Sequence, residues 1–251
     1  MKLADLSRRA PVVYKPCVTS TNTLLKTLAA SGLPDGFVLV TQKQTAGRGR
    51  LGRTFESPDG GLYLSILLYP QRSPEETPTL TPCAAVAVSR AVERVSGVSP
   101  DIKWPNDLQL GGRKLCGILT ESSTACGRRY VVIGIGINVN TRKEDLPPEL
   151  RDTAVSLADF TGKRMDTERL ACAVIEELDR MTELWTADSR FCLEEYRRRC
   201  CTLGCDVTLL CGGECADAHA LDVDDSFALI VETDDGIRRI SFGEVSLRKK
   251  A

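Results

Sequence analysis

A segment rich in glycine and arginine offers the clearest chemistry in the sequence. Residues 47–53 read Gly-Arg-Gly-Arg-Leu-Gly-Arg, and Gly60 and Gly61 follow shortly after. Glycine lets the backbone approach a ligand closely, and arginine supplies a permanent charge on a planar fork that matches phosphate or carboxylate oxygens. A loop of roughly fifteen residues without apolar periodicity is usually functional or disordered. The segment therefore predicts a loop that closes over an anionic small molecule.

Two lysines stand where a sheet would normally carry apolar side chains. Lys103 ends a short predicted strand, and Lys114 begins a strand that is otherwise apolar. A lysine at a strand end is usually a solvated charge, whereas a half-buried lysine needs an anionic partner. The position of both beside Asn106, Asp107 and the glycine-arginine loop favours an anion-binding site.

Hydrophobic patterns predict the elements that hold these residues. Ser20 or Thr21 is expected to cap a helix, whose N-terminus also suits the polar head of a ligand. A second helix is expected to open at Thr81-Pro82. A Walker phosphate loop is excluded, because a strand and not a helix follows the glycines. The remaining patterns predict helices from residue 167 and over 191–199, and strands over 37–41, 62–68, 102–104, 108–110, 114–121 and 129–136.

The last fifty residues have a different sequence pattern, which is typical of short strands separated by turns. Five strands are predicted, over 206–210, 216–222, 227–231, 237–242 and 245–247. This pattern indicates a small β-barrel. The expected fold class is α+β, with a catalytic domain over 1–200, built on a mixed β-sheet flanked by helices, and a C-terminal barrel over 201–251.

Composition narrows the functional class. The 251 residues carry a formal charge of −1, which gives no support to a general nucleic-acid or membrane-surface role. The start lacks the apolar run of a signal peptide, and no stretch is long enough for a membrane span, so a cytoplasmic location is expected. The single histidine, His219, lies outside any nucleophile motif, which favours catalysis by charge stabilisation.

The odd number of cysteines, eleven, argues against a closed disulfide framework. A cluster lies between Cys200 and Cys215, without the C-x-x-C spacing of a zinc ribbon. Free thiols that pack as small hydrophobes are preferred there over a metal site.

Four motifs resemble, in order and spacing, those of biotin protein ligases. They are residues 47–53, Lys-Trp-Pro-Asn-Asp-Leu at 103–108, Gly-Arg-Lys-Leu-Cys-Gly-Ile-Leu at 112–119 and Gly-Ile-Gly-Ile-Asn at 134–138. The resemblance extends to Gly-Glu-Val-Ser-Leu-Arg at 243–248. It implies a catalytic domain like those of biotin and lipoate ligases and class II synthetases, followed by an SH3-like barrel.

The resemblance also implies the reaction. Biotin's carboxylate attacks the α-phosphate of ATP with Mg²⁺ assistance, and biotinyl-5′-AMP then reacts with a lysine of a biotin carboxyl carrier domain. No redox cofactor is expected. Carboxylate and triphosphate repel each other, so the site must neutralise and align them. Arg48, Arg50, Lys103 and Lys114 suit that task.

Residue roles carried over from the family follow the motifs. The residues expected to bind biotin are Ser20, Thr21, Asn22, Gln44, Arg48, Gly49, Arg50, Lys114, Gly117, Gly134 and Gly136, with the last three glycines forming walls where a side chain would collide with biotin. The residues expected to contact ATP are Arg48, Arg50, Lys103, Trp104, Asn106 and Asn138. Asp107 is expected to assist deprotonation of the acceptor lysine and is the candidate Mg²⁺ ligand.

Several alternatives remain at this stage. A lipoate–protein ligase would use a related fold and also adenylate a carboxylate, and a non-catalytic protein could bind biotin without turnover. Only about twenty residues precede the first motif, so no DNA-binding domain and no repressor function are expected. A homodimer is left open.

Overall fold

The computed structural model of the chain describes residues 2–3, 6–8, 10–211, 214–241 and 243–247. Helices and two β-sheets form an α+β fold, as predicted. The helices are α1 (Thr21–Ala29), α2 (Leu80–Ser96), α3 (Leu157–Thr161), α4 (Thr167–Ala187) and α5 (Arg190–Arg199).

The first sheet has seven strands and is mixed. Its strands are β1 (Val12–Lys15), β2 (Phe37–Thr41), β3 (Leu62–Leu68), β4 (Asp101–Lys103), β5 (Asp107–Leu110), β6 (Arg113–Ala125) and β7 (Arg128–Ile137). They lie in the order β1-β2-β3-β7-β6-β5-β4, with β1 parallel to β2 and each later pair antiparallel. The six predicted strands are confirmed. The short, half-exposed β1 was not predicted from the sequence.

The two faces of this sheet are covered differently. On one face, α2 and α4 pack against apolar side chains such as Leu64, Ile66 and Ile135. On the other face, Leu25 of α1 packs against Leu39 and neighbouring side chains. This second face continues past α1 to glycines of β6 and β7, where the missing side chains leave room for a cavity.

Local signals explain where the helices begin. Ser20 caps α1 and accepts a hydrogen bond from the Thr23 amide, which confirms one of the two predicted caps. The prediction that Thr81-Pro82 opens α2 is wrong by two residues, because α2 begins at Leu80. A 3₁₀ helix over Pro74–Thr79 leads directly into α2, so Pro82 lies in the first turn, where its missing N–H leaves no bond unmade.

The second sheet is antiparallel. Its strands are β8 (Asp206–Cys211), β9 (Glu214–Val223), β10 (Leu229–Thr233), β11 (Gly236–Ile240) and β12 (Glu244–Leu247), in the order β11-β10-β9-β8-β12. These correspond to the five strands predicted from the sequence. The expected turn at Gly212-Gly213, and also Phe242 and Arg248, lie outside the described residues.

The two sheets are joined through Trp104, which follows β4. Its backbone N–H donates to Thr202 Oγ1 at 3.0 Å, and its indole N–H donates to the Phe227 carbonyl at 2.9 Å. Cys201 also donates from its backbone amide to the Ile102 carbonyl of β4 at 3.0 Å. The buried core runs through both sheets, so the division into residues 1–200 and 201–251 stays a prediction.

The described part of the chain contains no helix long and apolar enough to cross a bilayer. Among the described residues there is also no group of three or more histidine, cysteine, aspartate or glutamate side chains arranged to hold a metal ion. The ten cysteines whose side chains the structure describes are free thiols. Burial raises the pKa of Cys201 to about 12 and also raises that of Cys200, so both remain protonated at neutral pH.

Candidate active site

A row of paired residues crosses the first sheet and forms the floor of the site. Lys103 pairs with Asp107, Asp107 with Gly117, and Gly117 with Gly136. Directly paired residues project from the same face of a sheet. The row spans three strand intervals, roughly 14 Å. A bare glycine surface therefore lies beside two charged side chains on one face.

Above this floor lies a cavity of about 370 Å³. It brings together every predicted site residue except Asn138. The residues that line it are Ser20, Thr21, Asn22, Gln44, Arg48, Gly49, Arg50, Lys103, Trp104, Asn106, Asp107, Lys114, Gly117, Gly134 and Gly136, together with the unpredicted Arg53, Thr54, Phe55, Pro105, Ile118, Leu119, Ile135 and Val245. Asn138 is buried beneath, and its side chain donates to the Lys114 carbonyl at 3.4 Å.

Phe55 occupies the space above two of the floor glycines. A Cβ at Gly136 would lie 2.5 Å from the Phe55 ring, and one at Gly117 would lie 2.8 Å from it. At Gly134 a Cβ would overlap the Asn22 side chain. These glycines were predicted to avoid a collision with biotin, but in this structure the nearest atoms that exclude a side chain belong to Phe55 and Asn22. Phe55 was not predicted, although it and Leu51 are the large apolar residues of the loop.

The end of the cavity near α1 is built from hydroxyls and amides. Gln44 Oε1 accepts from the Thr21 backbone amide at 2.9 Å and lies 3.1 Å from its hydroxyl. Ser65 Oγ lies 2.6 Å from Asn22 Oδ1 and 2.7 Å from Thr21 Oγ1. Gln44 Nε2 donates to Ser57 Oγ at 2.9 Å. This network holds two amides in fixed orientations around the polar end.

Glu121 lies behind this network and connects it to the glycine-arginine loop. Its carboxylate accepts from Asn22 Nδ2 at 3.0 Å and from Lys26 Nζ at 2.7 Å, and it pairs with Arg48 Nη1 at 3.0 Å. Burial alone would raise the pKa of this carboxyl, but the hydrogen bonds and charges of its partners outweigh burial and lower it. Glu121 was not predicted, but the sequence carried a signal for it. Gly117, Leu119 and Glu121 alternate along β6 and therefore lie on the same face of the sheet.

The other end of the cavity is cationic. Lys114 Nζ lies 2.7 Å from Asp107 Oδ2. Arg50 donates to Asn106 Oδ1 at 2.9 Å and to the Gly243 carbonyl at 3.0 Å, both neutral acceptors. Among carboxylates whose side chains the structure describes, none pairs with Arg50 or with the half-buried Lys103. These two cations therefore remain available to neutralise an anion.

The glycine-arginine loop forms a narrow turn. Its base is fastened by a bridge between Arg48 and Thr54 and by a hydrogen bond of 2.7 Å from the Gly49 amide to the Arg53 carbonyl. At the tip, Leu51 has a φ of 54° and is 77% exposed. A left-handed conformation at a branched residue costs about 1 kcal/mol or more. The loop thus places its arginines along the edge of the cavity while its tip stays in solvent.

The fold and the cavity define a site for an anionic ligand with a polar head, with a polar end, a glycine floor and uncompensated cations. Residues 14–140 match the family model described as biotin/lipoate A/B protein ligase, and residues 202–248 match the biotin protein ligase C-terminal domain. The second match includes the predicted SH3-like part. The chain belongs to the biotin/lipoate A/B protein ligase family.

Individual relatives agree with this assignment. The chain is 37% identical to the bifunctional ligase/repressor BirA of Bacillus spizizenii over 94% of this chain and 74% of that protein. It is 34% identical to the biotin–[acetyl-CoA-carboxylase] ligase of Mycobacterium tuberculosis, over 90% and 85%. Among solved structures, the biotin protein ligase of Aquifex aeolicus in complex with biotin and ATP matches with a TM-score of 0.82 and 29% identity, over 95% of this chain and 99% of that one.

Proposed function

We propose that this protein is a biotin–protein ligase, which activates biotin as biotinyl-5′-AMP and transfers it to a lysine of a biotin carboxyl carrier domain. The observation that carries the proposal is one cavity with two different ends, in a chain that carries both ligase family domains. Hydroxyls and amides at one end suit the ureido ring of biotin. Cations at the other end suit a carboxylate and phosphates.

In the first half-reaction, an oxygen of the biotin carboxylate attacks the α-phosphorus of ATP and pyrophosphate leaves. Among the cations that line the cavity, Arg50 and Lys103 have no described carboxylate partner, so we assign them to the negative charge that gathers on the phosphate oxygens. Lys114 lies against Asp107 and reaches the same region. We assign Arg48 to holding the loop, because its guanidinium is paired with Glu121.

The family implies Mg²⁺, and one atom of the site fits it. Asp107 Oδ1 is buried and has no hydrogen-bond partner among the described residues. Mg²⁺ is commonly held by one or two carboxylates together with substrate phosphates and water. Asp107 would hold the ion with the phosphates of ATP, and the ion would supply charge neutralisation there.

In the second half-reaction, the ε-amine of the acceptor lysine attacks the acyl carbon of the mixed anhydride and AMP leaves. The amine must be neutral to attack, so its proton has to be removed at the site. Asp107 is the carboxylate that lines the charged end of the cavity, and we assign it to take that proton. This role for Asp107 is a proposal to be tested by substitution with asparagine.

The test is exchange of labelled pyrophosphate into ATP, with biotin, lipoate or no acid added in separate reactions. Exchange that depends on biotin is the expected result. Exchange with lipoate alone, or exchange in the absence of any acid, would contradict the proposal. A second assay adds a carboxyl carrier domain and detects biotin on its lysine by mass.

A further inference from the structure

The orientation of Asn22 decides what the polar end of the cavity can recognise. Asn22 lines the cavity and is almost fully buried. Its Nδ2 donates to Glu121 Oε2 at 3.0 Å and to the Leu119 carbonyl at 3.3 Å. An ionised carboxylate can only accept hydrogen bonds. Glu121, together with the Leu119 carbonyl, therefore holds the Asn22 amide nitrogen on the Glu121 side and its oxygen towards Ser65.

The orientation of the Asn22 amide determines which groups of the neighbouring side chains donate and which accept. Because Asn22 Oδ1 can only accept, Ser65 must donate its hydroxyl hydrogen to that oxygen over 2.6 Å. The Thr21 hydroxyl then donates either to Ser65 Oγ or to Gln44 Oε1. The Gln44 oxygen is fixed in turn by the Thr21 backbone amide, which can only donate. The hydroxyl hydrogens of Ser65 and Thr21 are thus used within the protein, and lone pairs on the Asn22 and Gln44 oxygens are left for a ligand.

We propose that Glu121 is a positioning residue that makes this end of the cavity an acceptor for N–H groups and so selects a cyclic urea. The inference rests on the proposed function and deepens it. The ureido ring of biotin carries two N–H donors, whereas the dithiolane ring of lipoate carries none. Glu121 reaches the ring through Asn22 and does not contact the reacting atoms.

The substitution Glu121→Gln, which replaces one carboxylate oxygen by an NH₂ group, tests the proposal because the neighbouring cations fix how the new amide is oriented. In Glu121→Gln, Lys26 and Arg48 both require the side-chain oxygen, because both can only donate. The new NH₂ group then faces Asn22, and Asn22 gives up its hydrogen bond to the Leu119 carbonyl so that its oxygen can accept from residue 121. The amide nitrogen of Asn22 now points to the ring site, where it opposes the N–H groups of biotin.

The experiment measures steady-state biotin-dependent pyrophosphate exchange in the full chain. Glu121→Gln is expected to raise KM for biotin at least about tenfold, with kcat changed much less. KM for desthiobiotin, which keeps the cyclic urea and lacks the thioether ring, should rise by the same factor in Glu121→Gln. Lys26→Met removes a partner of Glu121 without touching Asn22, and should change KM by no more than about fivefold.

A double variant separates this role from a general loss of structure. In Glu121→Gln/Asn22→Asp, residue 22 can only accept, so the acceptor character of the ring site returns. Its KM for biotin should be lower than that of Glu121→Gln. An unchanged KM in the single variant, or a double variant no better than the single one, would overturn the proposal.

The failure of this inference can be told apart from the failure of the proposed function. The wild-type protein is assayed first, with and without biotin. Absence of biotin-dependent exchange in that protein would refute the ligase assignment itself. Normal wild-type exchange with an insensitive Glu121→Gln variant would refute only the role of Glu121.

Discussion

The two ends of the cavity are built on opposite principles. At the end near α1, the polar side chains are joined in one hydrogen-bonded network that ends on Glu121. At the other end, Arg50 rests on neutral acceptors and Lys103 has no ion partner among the described side chains. Side chains whose hydrogen bonds are satisfied within the protein keep a fixed orientation, whereas cations without a carboxylate partner can bind an anionic ligand. The first end is suited to selecting a ligand and the second to reacting with it.

Substitution of Lys103 is expected to give the largest effect and tests whether the two ends of the cavity act separately. We expect Lys103→Met to lower kcat for biotin-dependent exchange about 100-fold, since an electrostatic donor to the transition state is lost. KM for biotin should change little, because the selecting end is untouched. Lys43→Met, which removes an exposed lysine paired with Asp59, is the matched control. Equal effects on KM and kcat would show that the two ends are not separate.

Lys114 should behave differently from Lys103 in stability. Lys114→Met leaves Asp107 without its ion partner, while Asp107 Oδ1 already has no hydrogen-bond partner among the described residues. We expect a loss of about 1–3 kcal/mol in the free energy of unfolding, measured by denaturant titration. Lys103→Met should leave that free energy unchanged or raise it. A reversed order would mean that the charge pairing has been assigned wrongly.

Arg50 tests whether the loop retains the intermediate. Arg50→Gly removes both the bond to Asn106 and the bond to the Gly243 carbonyl, so the loop keeps its contact through Arg48 but loses its contact with the charged end of the cavity. Exchange should remain measurable, but bound biotinyl-5′-AMP should dissociate about tenfold faster. Arg50→Lys keeps the charge without the two-point contact and serves as the control. Tight retention of the adenylate by Arg50→Gly would contradict this role.

The smallest expected effect concerns pH. The pKa of Glu121 in the folded protein lies below its ordinary value, so its contribution is present above that ordinary value and is lost as pH falls through the folded one. The difference in Tm between wild type and Glu121→Gln should be constant near neutral pH. It should shrink below about pH 4.3. A difference that stays constant into acid would show that the carboxylate charge does not stabilise the network.

Local sequence signals were sufficient for most of the fold, and they named fifteen of the residues that line the cavity, whose roles towards ligands stay predictions. Strands such as β2 and β3 follow directly from runs of apolar residues, and motif order placed the cavity residues together. Pairings over long separations could not be predicted. Glu121 and Arg48 are 73 residues apart, and their contact depends on how the loop crosses β6. The Asp107–Lys114 pair also depends on an irregularity in strand register between Leu108 and Gln109.

Three side chains from outside the C-terminal sheet donate hydrogen bonds to main-chain carbonyls of the C-terminal region. Trp104 donates to the Phe227 carbonyl, Arg50 to the Gly243 carbonyl, and Arg197 to the Val223 carbonyl. A carbonyl is present whatever side chain stands at its position, but the residue still decides where the backbone aims it. Phe227 and Gly243 have positive φ angles of 61° and 135°, and Phe227 and Val223 are buried. Substitutions at these three positions are therefore expected to act on the ligase centre indirectly, by changing the path of the backbone.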